Sequence, residues 1–231
     1  MQIPDFKLYT PETEHGWRKT RSEMAFENPH VSVERAYYDT PSGRSDVPWM
    51  VVQRKAAVAV IPVLEDGRFV MVHQERLPVM QTMWEFPAGQ IDTEVTRESI
   101  IHTVLNELRE ECGCVLNHEH GTLEPLGWYF PSQGFTDEIV YLFTAKPVCV
   151  VSRPEPDGSE HISDVRFVSV GELRGMIAAN AITNALTLAL YARIAAQGLP
   201  QSSASATPLP FSFPCGPVFF KKSSKSAKKS R

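Results

Sequence analysis

Glu98-Ser99-Ile100-Ile101-His102-Thr103-Val104-Leu105-Asn106-Glu107-Leu108-Arg109-Glu110-Glu111-Cys112-Gly113-Cys114 combines a helical period of apolar residues with a cluster of glutamates. Its apolar residues Ile101, Val104, Leu105, Leu108 and Cys112 step by three and four, the period of an amphipathic helix, and Gly113 stands where such a helix ends. At about 100° per residue, Glu107, Glu110 and Glu111 fall within about 100° of one another, and the apolar set centres roughly 120° away. The spacing therefore predicts three carboxylates on one solvent-side face. Like charges three and four apart repel by a few tenths of a kcal/mol per pair, and a bound divalent cation relieves them. Carboxylate oxygens are the hard ligands that Mg²⁺ or Mn²⁺ prefers. The alternative reading is a solvated acidic face with Arg109 as its counter-charge.

Working outward, residues 56–64 and 68–74 predict a hairpin around Glu65-Asp66-Gly67, and residues 24–52 an edge or hairpin region that turns at Thr40-Pro41-Ser42-Gly43. A further strand is expected over residues 164–170. Residues 199–231 combine a Ser- and Pro-rich stretch with a lysine run and predict a disordered tail, on which Phe211, Phe213, Phe219 and Phe220 are the exception. The division expected is 1–55 as an N-terminal β extension, 56–198 as the main α+β domain and 199–231 as the tail.

With 42% hydrophobic and 22% charged residues the 231-residue chain has the composition of an ordinary globular protein with one sizeable core. Residues 221–231 hold six basic and no acidic residues, so the remainder carries 17 basic against 27 acidic, or 17 − 27 = −10. An acidic body acting on a polyanion needs a cation to mediate, whereas a surface holding nucleic acid by charge alone is basic. The start has no basic and apolar leader and no stretch is long enough to span a bilayer, so an intracellular, cytoplasmic location and no membrane partner are expected. Cys112, Cys114, Cys149 and Cys215 show no zinc-ribbon spacing and read as buried free thiols.

Gly89, Glu98 and the run from Asn106 to Cys114 resemble the Nudix box, and Glu85-Phe86-Pro87-Ala88-Gly89 is similar to the strand and loop that precede it in the family's ADP-ribose and nucleoside-diphosphate-sugar branch. Two departures stand out. Eight residues separate Gly89 from Glu98 where the family has five, and the box arginine, which pairs with the first box glutamate and orients the catalytic helix, is replaced by Asn106. A longer loop is absorbed at small entropic cost. Glu98 loses its partner, for which Arg97 or Arg109 is the substitute; lying about 180° round the helix from Glu107, it is structural, with Gly89 and Gly113.

Likeness to the family extends over most of residues 17–195. It implies an α/β/α sandwich around a mixed sheet, Mg²⁺ or Mn²⁺ as cofactor, and Glu107, Glu110, Glu111 and the Ala88 carbonyl as metal ligands. Arg76, Glu138 and Pro131 are implied as substrate-binding residues, Pro131 as the marker of ADP-ribose specificity. Glu160, in Gly158-Ser159-Glu160-His161-Ile162, is implied as general base on a mobile loop, with Glu107 the competing candidate. Residues 182–187 resemble the closing helix. A homodimer formed through the N-terminal strands, and hydrolysis of a small nucleoside diphosphate derivative, ADP-ribose above all, complete the implication. Trp17, Phe26 and Trp128 are candidates to stack on an adenine, or core residues. Trp128-Tyr129-Phe130-Pro131 is also similar to NADH pyrophosphatases, whose zinc-binding cysteines are missing here. NADH, NDP-sugars, an RNA-directed role through the basic tail, and a non-catalytic nucleotide-binding module are the alternatives.

Overall fold

The computed structural model describes residues 2–12, 15–29, 31–155 and 161–198. A three-stranded antiparallel sheet comes first, with β1 (Arg18–Glu27), β2 (Ser32–Asp39) and β3 (Val47–Gln53) in that order. The expected turn is present: Gly43, at φ 83°, donates its N–H to the Thr40 carbonyl at 3.0 Å. All ten residues of β1 are exposed.

The main sheet is built from β4 (Ala57–Leu64), β5 (Phe69–Arg76), β6 (Gln81–Glu85), β7 (Ala88–Gln90), β8 (Cys114–Leu116), β9 (Thr122–Tyr129), β10 (Val140–Val150) and β11 (Ile162–Val168). Its spine runs β11-β5-β4-β10-β8, with β6 on β5, β7 on β4 and β9 on β10. β4 and β10 are parallel and the other pairs antiparallel, so the sheet is mixed. Strand β4 reads as a continuous apolar run because it is covered on both faces. Val58 and Val60 pack with Ile100, Val104 and Leu108 of α1 (Arg97–Cys112). Ala59 and Ile61 pack with Leu173 of α2 (Val170–Ala178) and with Leu190 and Ile194 of α3 (Ala185–Gln197). This is the sandwich, and the α+β class, that the sequence predicts.

The predicted hairpin at Gly67 exists but opens at once: β4 and β5 pair only at Val63 and Phe69. Into the gap comes the chain from residue 85 to 89. β6 pairs with β5, Val72 opposite Glu85, and β7 then crosses to β4, Ala59 opposite Ala88 and Val58 opposite Gly89. The Pro87 carbonyl accepts from Val60 N–H at 3.0 Å at the crossing point.

Helix α1 starts with a capping box, Ser99 N–H to Thr96 Oγ1 at 3.1 Å and Thr96 N–H to Ser99 Oγ at 2.9 Å. It ends at Gly113, φ 63°, where any Cβ would collide with the Ser152 carbonyl. One expectation is corrected here. The buried stripe is Ile100, Val104, Leu108, Glu111 and Cys112, while Ile101 and Leu105 are only partly buried. Centring the stripe on Ile100 rather than Ile101 rotates it by about one residue, so Glu111 lies on the buried side at 1% exposure and not on a solvent face.

Residues 2–9 lie along the α1 side of the main sheet. Gln2 bridges to Thr122, and Ile3, Phe6 and Tyr9 join the core there, with Tyr9 edge-on to Trp128 and Phe130. Trp128 is thus a packing residue. Cys112 and Cys114 are buried free thiols, and burial pushes Cys112 up. Cys149 is buried as well, and the fourth cysteine, Cys215, lies outside the described residues. No helix among the described residues is long and apolar enough to cross a membrane. The predicted tail, residues 199–231, lies outside the described residues.

Candidate active site

The crossing segment and the catalytic-type helix meet. Glu111 Oε2 accepts the Ala88 N–H at 2.8 Å. One residue on, Gly89 lies so close to Glu107 that a Cβ there would overlap its carboxylate. Two carboxylates one helical turn apart thus converge on residues 88 and 89, bringing together the helix and the Ala88 loop that the family resemblance implies as metal ligands. Glu110 points differently, toward Arg109 Nη2 at 3.3 Å.

Among the described residues no three His, Cys, Asp or Glu side chains are gathered into a metal cage. Such a cage is not what Mg²⁺ asks for, since it typically takes one or two protein carboxylates and completes its shell with water and phosphate oxygens. The hard oxygen donors of Glu107 and Glu111 beside residues 88 and 89 fit that chemistry.

Arg76 ends β5 above this segment. Its Nε donates to both oxygens of Glu85 at 3.1 Å and its Nη2 to Oε2 at 2.6 Å. Glu85 is fully buried and the Arg76 side chain one-third exposed. Glu138 follows the loop after β9, its side chain 19% exposed, with Arg54 Nη2 at 3.8 Å. The Arg54 backbone N–H donates to Asp137 Oδ1 at 2.8 Å, and Val52 N–H to the Phe135 carbonyl at 2.9 Å, so the end of β3 holds this loop. Burial, with the charge of Asp137, raises Glu138 above the usual carboxylate range, while Arg54 opposes the rise. Tyr129 joins the two ends of the site: burial and then the charges of Glu138 and Glu85 push its phenol up to about 12. Pro131 lies partly buried in the turn just beyond Phe130.

Glu98 is exposed, and neither proposed substitute partner reaches it: Arg97 pairs with Asp5 and lies over the Phe6 ring, and Arg109 pairs with Glu110. Asn106, in the place of the box arginine, meets His102 Nδ1 at 3.3 Å. Glu160 lies outside the described residues. Its flanks do not: Glu155 N–H donates to the Glu110 carbonyl at 2.8 Å, and the His161 carbonyl accepts from Glu75 N–H at 3.1 Å. The described residues on either side, Glu155 and His161, thus lie at the end of the acidic helix and beside Glu75, the neighbour of Arg76. Two site residues were not singled out in the sequence, Glu85 and Arg54. A lone glutamate between Trp84 and Phe86 was the available signal for Glu85; nothing local marks Arg54.

The NUDIX domain family model matches residues 53–190, more than half of the chain. The chain belongs to the Nudix family. This Nudix hydrolase is 29% identical over 137 residues to the ADP-ribose pyrophosphatase of Bacillus subtilis, covering 59% of this chain and 70% of that protein. It is 28% identical over 176 residues to the ADP-ribose pyrophosphatase of Mycobacterium tuberculosis, covering 76% and 82%. A relative named methanol dehydrogenase activator, from Bacillus methanolicus, is 32% identical over 126 residues, covering 54% and 64%. The fold matches a solved structure described as an ADP compounds hydrolase, with TM-score 0.64, 14% identity, and coverage of 81% of this chain and 99% of that one. Nudix hydrolases generally use divalent metals and act on small-molecule nucleotide substrates.

Proposed function

We propose that this Nudix hydrolase is a divalent-metal-dependent ADP-ribose pyrophosphatase, adding water across the diphosphate of ADP-ribose to release AMP and ribose 5-phosphate. The observation that carries the reading is the convergence of Glu107 and Glu111 on residues 88 and 89. It is supported by the two ADP-ribose pyrophosphatase relatives, one of them spanning most of both chains.

In this reading Glu107, Glu110, Glu111 and the Ala88 carbonyl would hold the metal. When bound, Mg²⁺ or Mn²⁺ spreads the charge of the bridging phosphates and lowers the pKa of a water. Arg76 and Glu138 bind substrate, Arg76 as a planar cation suited to phosphate oxygens. Tyr129, its phenol pushed up to about 12 by burial and by the charges of Glu138 and Glu85, stays neutral. Glu160 takes the proton of the attacking water, and the diphosphate bond breaks in line with it.

A cavity of about 370 Å³ is lined by His15, Trp17, Tyr38, Trp49 and Val51 on the N-terminal sheet, with the Trp17 ring edge-on to Tyr38 and Trp49 at 6.3 Å. Its aromatic walls suit a nucleobase, which gives Trp17 the stacking role. The bare β1 strand, with Met24 and Phe26 exposed, suits a second copy of the chain and hence a homodimer.

The test is a product assay on ADP-ribose, NADH, NDP-sugars, dinucleoside polyphosphates and capped RNA, with Mg²⁺, with Mn²⁺ and with chelator. ADP-ribose is expected to give the highest kcat/KM, and chelator to abolish it. Preference for another diphosphate reassigns the substrate, and turnover unaffected by chelator removes the metal role.

A further inference from the structure

Arg76 and Glu85 stand on neighbouring strands of one antiparallel pair, β5 and β6, in which Val72 is opposite Glu85 and Arg76 opposite Gln81. Residues directly opposite share a face of the sheet, and Val72 faces the core beneath α1. Glu85 is therefore directed to the side on which Glu107 and Glu111 lie. It is 0% exposed. A carboxylate buried to that degree is tolerated only when paired and hydrogen-bonded, and its partner is Arg76, gripped through Nε and Nη2.

A guanidinium is planar and carries five N–H groups in a rigid fork. With one edge engaged by Glu85, the plane and the direction of the opposite edge are set. The same segment carries Ala88 and Gly89, which receive Glu111 and Glu107. One five-residue stretch, 85 to 89, thus bears on the cation and on both carboxylates together. The charges of Glu138 and Glu85 both act on the buried Tyr129 phenol.

We propose that Glu85 is a positioning residue, which aims the Arg76 guanidinium at the substrate diphosphate. It touches neither substrate nor metal and acts only through Arg76. The inference rests on the reading of the site as a diphosphate hydrolase. An arginine on an exposed strand end otherwise samples many rotamers, and ordering them at the moment of binding weakens affinity; a buried carboxylate behind it orders them beforehand.

The test is a double-mutant cycle read by calorimetric binding of ADP in Mg²⁺ buffer, with KM and kcat for ADP-ribose measured in parallel. The proteins are the full-length chain and its Glu85→Gln, Arg76→Gln and Glu85→Gln/Arg76→Gln variants. Each single substitution is expected to weaken ADP binding by about tenfold or more, with KM rising and kcat at saturation within a few-fold. The double variant is expected to bind within about twofold of Arg76→Gln alone, because Glu85 has nothing left to aim. A general structural role for Glu85 makes the two losses multiply, and that result overturns the proposal. Glu85→Gln binding like the unsubstituted chain overturns it too. Where glutamine at this buried position prevents folding, Glu85→Asp keeps the charge and shortens the arm. It is expected to weaken ADP binding several-fold, and unchanged binding in the folded Asp variant counts against the proposal in the same way. If the unsubstituted chain neither binds ADP nor hydrolyses any diphosphate, the functional reading fails and takes this inference with it. Hydrolysis with an unmoved KM in the variants sinks the inference alone.

Discussion

Gly89 and Glu107 are in such close contact that the glycine has no room for a side chain: a Cβ would occupy the position of the Glu107 carboxylate. The obstructed atoms are the far end of a flexible chain, so the carboxylate swings away and the backbone survives. Gly89→Ala is therefore expected to fold with Tm within a few degrees of the unsubstituted chain. Turnover should fall by about a hundredfold, the scale of a roughly 1 Å misplacement at a reacting centre. Normal kcat in a folded Gly89→Ala protein removes Glu107 from the site.

Glu111 has a structural and a chemical task, since it accepts the Ala88 N–H while buried. Glu111→Gln keeps an acceptor oxygen for that N–H and loses the charge. Turnover is expected to drop by about a hundredfold or more, because the electrostatic help of a metal ion amounts to several kcal/mol. The Mn²⁺ concentration for half-maximal rate should rise with it. A variant with unaltered metal dependence shows that Glu111 is a packing residue only.

Glu160 and Glu155 provide a matched pair on one segment. Glu155 is tied by its backbone N–H to the Glu110 carbonyl at 2.8 Å, a contact that its side chain does not make. Glu155→Gln is expected to leave kcat unchanged. Glu160→Gln is expected to lower kcat by about 10² to 10⁴ with a small change in KM, the signature of a lost base. Should Glu160→Gln turn over normally while Glu107→Gln is dead at saturating metal, the base is Glu107.

Glu138 makes stability depend on pH in a direction that can be stated. Burial raises it, so the folded chain binds its proton at a pH where the unfolded chain has released it. Stability then falls as pH rises from the ordinary glutamate value through the raised one, since the folded state binds more protons across that window. Glu138→Gln removes the dependence. Tm of the two proteins, measured at steps upward from about pH 4, is expected to diverge with rising pH in favour of the Gln variant. Parallel curves show that Arg54, at 3.8 Å, fully offsets the burial.

Much of this protein was determined by local sequence. The three-and-four stepping from Ile101 to Cys112 and the stop at Gly113 mark α1, because helix period and C-terminal glycine are short-range physics. The Thr40 and Gly67 turns follow from turn chemistry, and the apolar run before Gly67 reads as one arm of a hairpin; that this strand is covered on both faces came from the fold. The family was legible as a resemblance, carried by Gly89, Glu98 and the run from Asn106 to Cys114.

Tertiary structure alone decided the rest, because it depends on which strands become neighbours. Whether the helix stripe centred on Ile100 or Ile101 was settled by packing under the sheet, and that choice buried Glu111. The opening of the β4–β5 hairpin, and the passage of residues 85–89 from one strand to the other, brought Ala88 and Gly89 to the helix carboxylates and Glu85 to Arg76. Arg54 and Glu138, 84 positions apart, met because β3 holds the loop after β9. Arg97 turned to Asp5 rather than to Glu98 because residues 2–9 lie beside the start of α1, a long-range placement that no helix periodicity records.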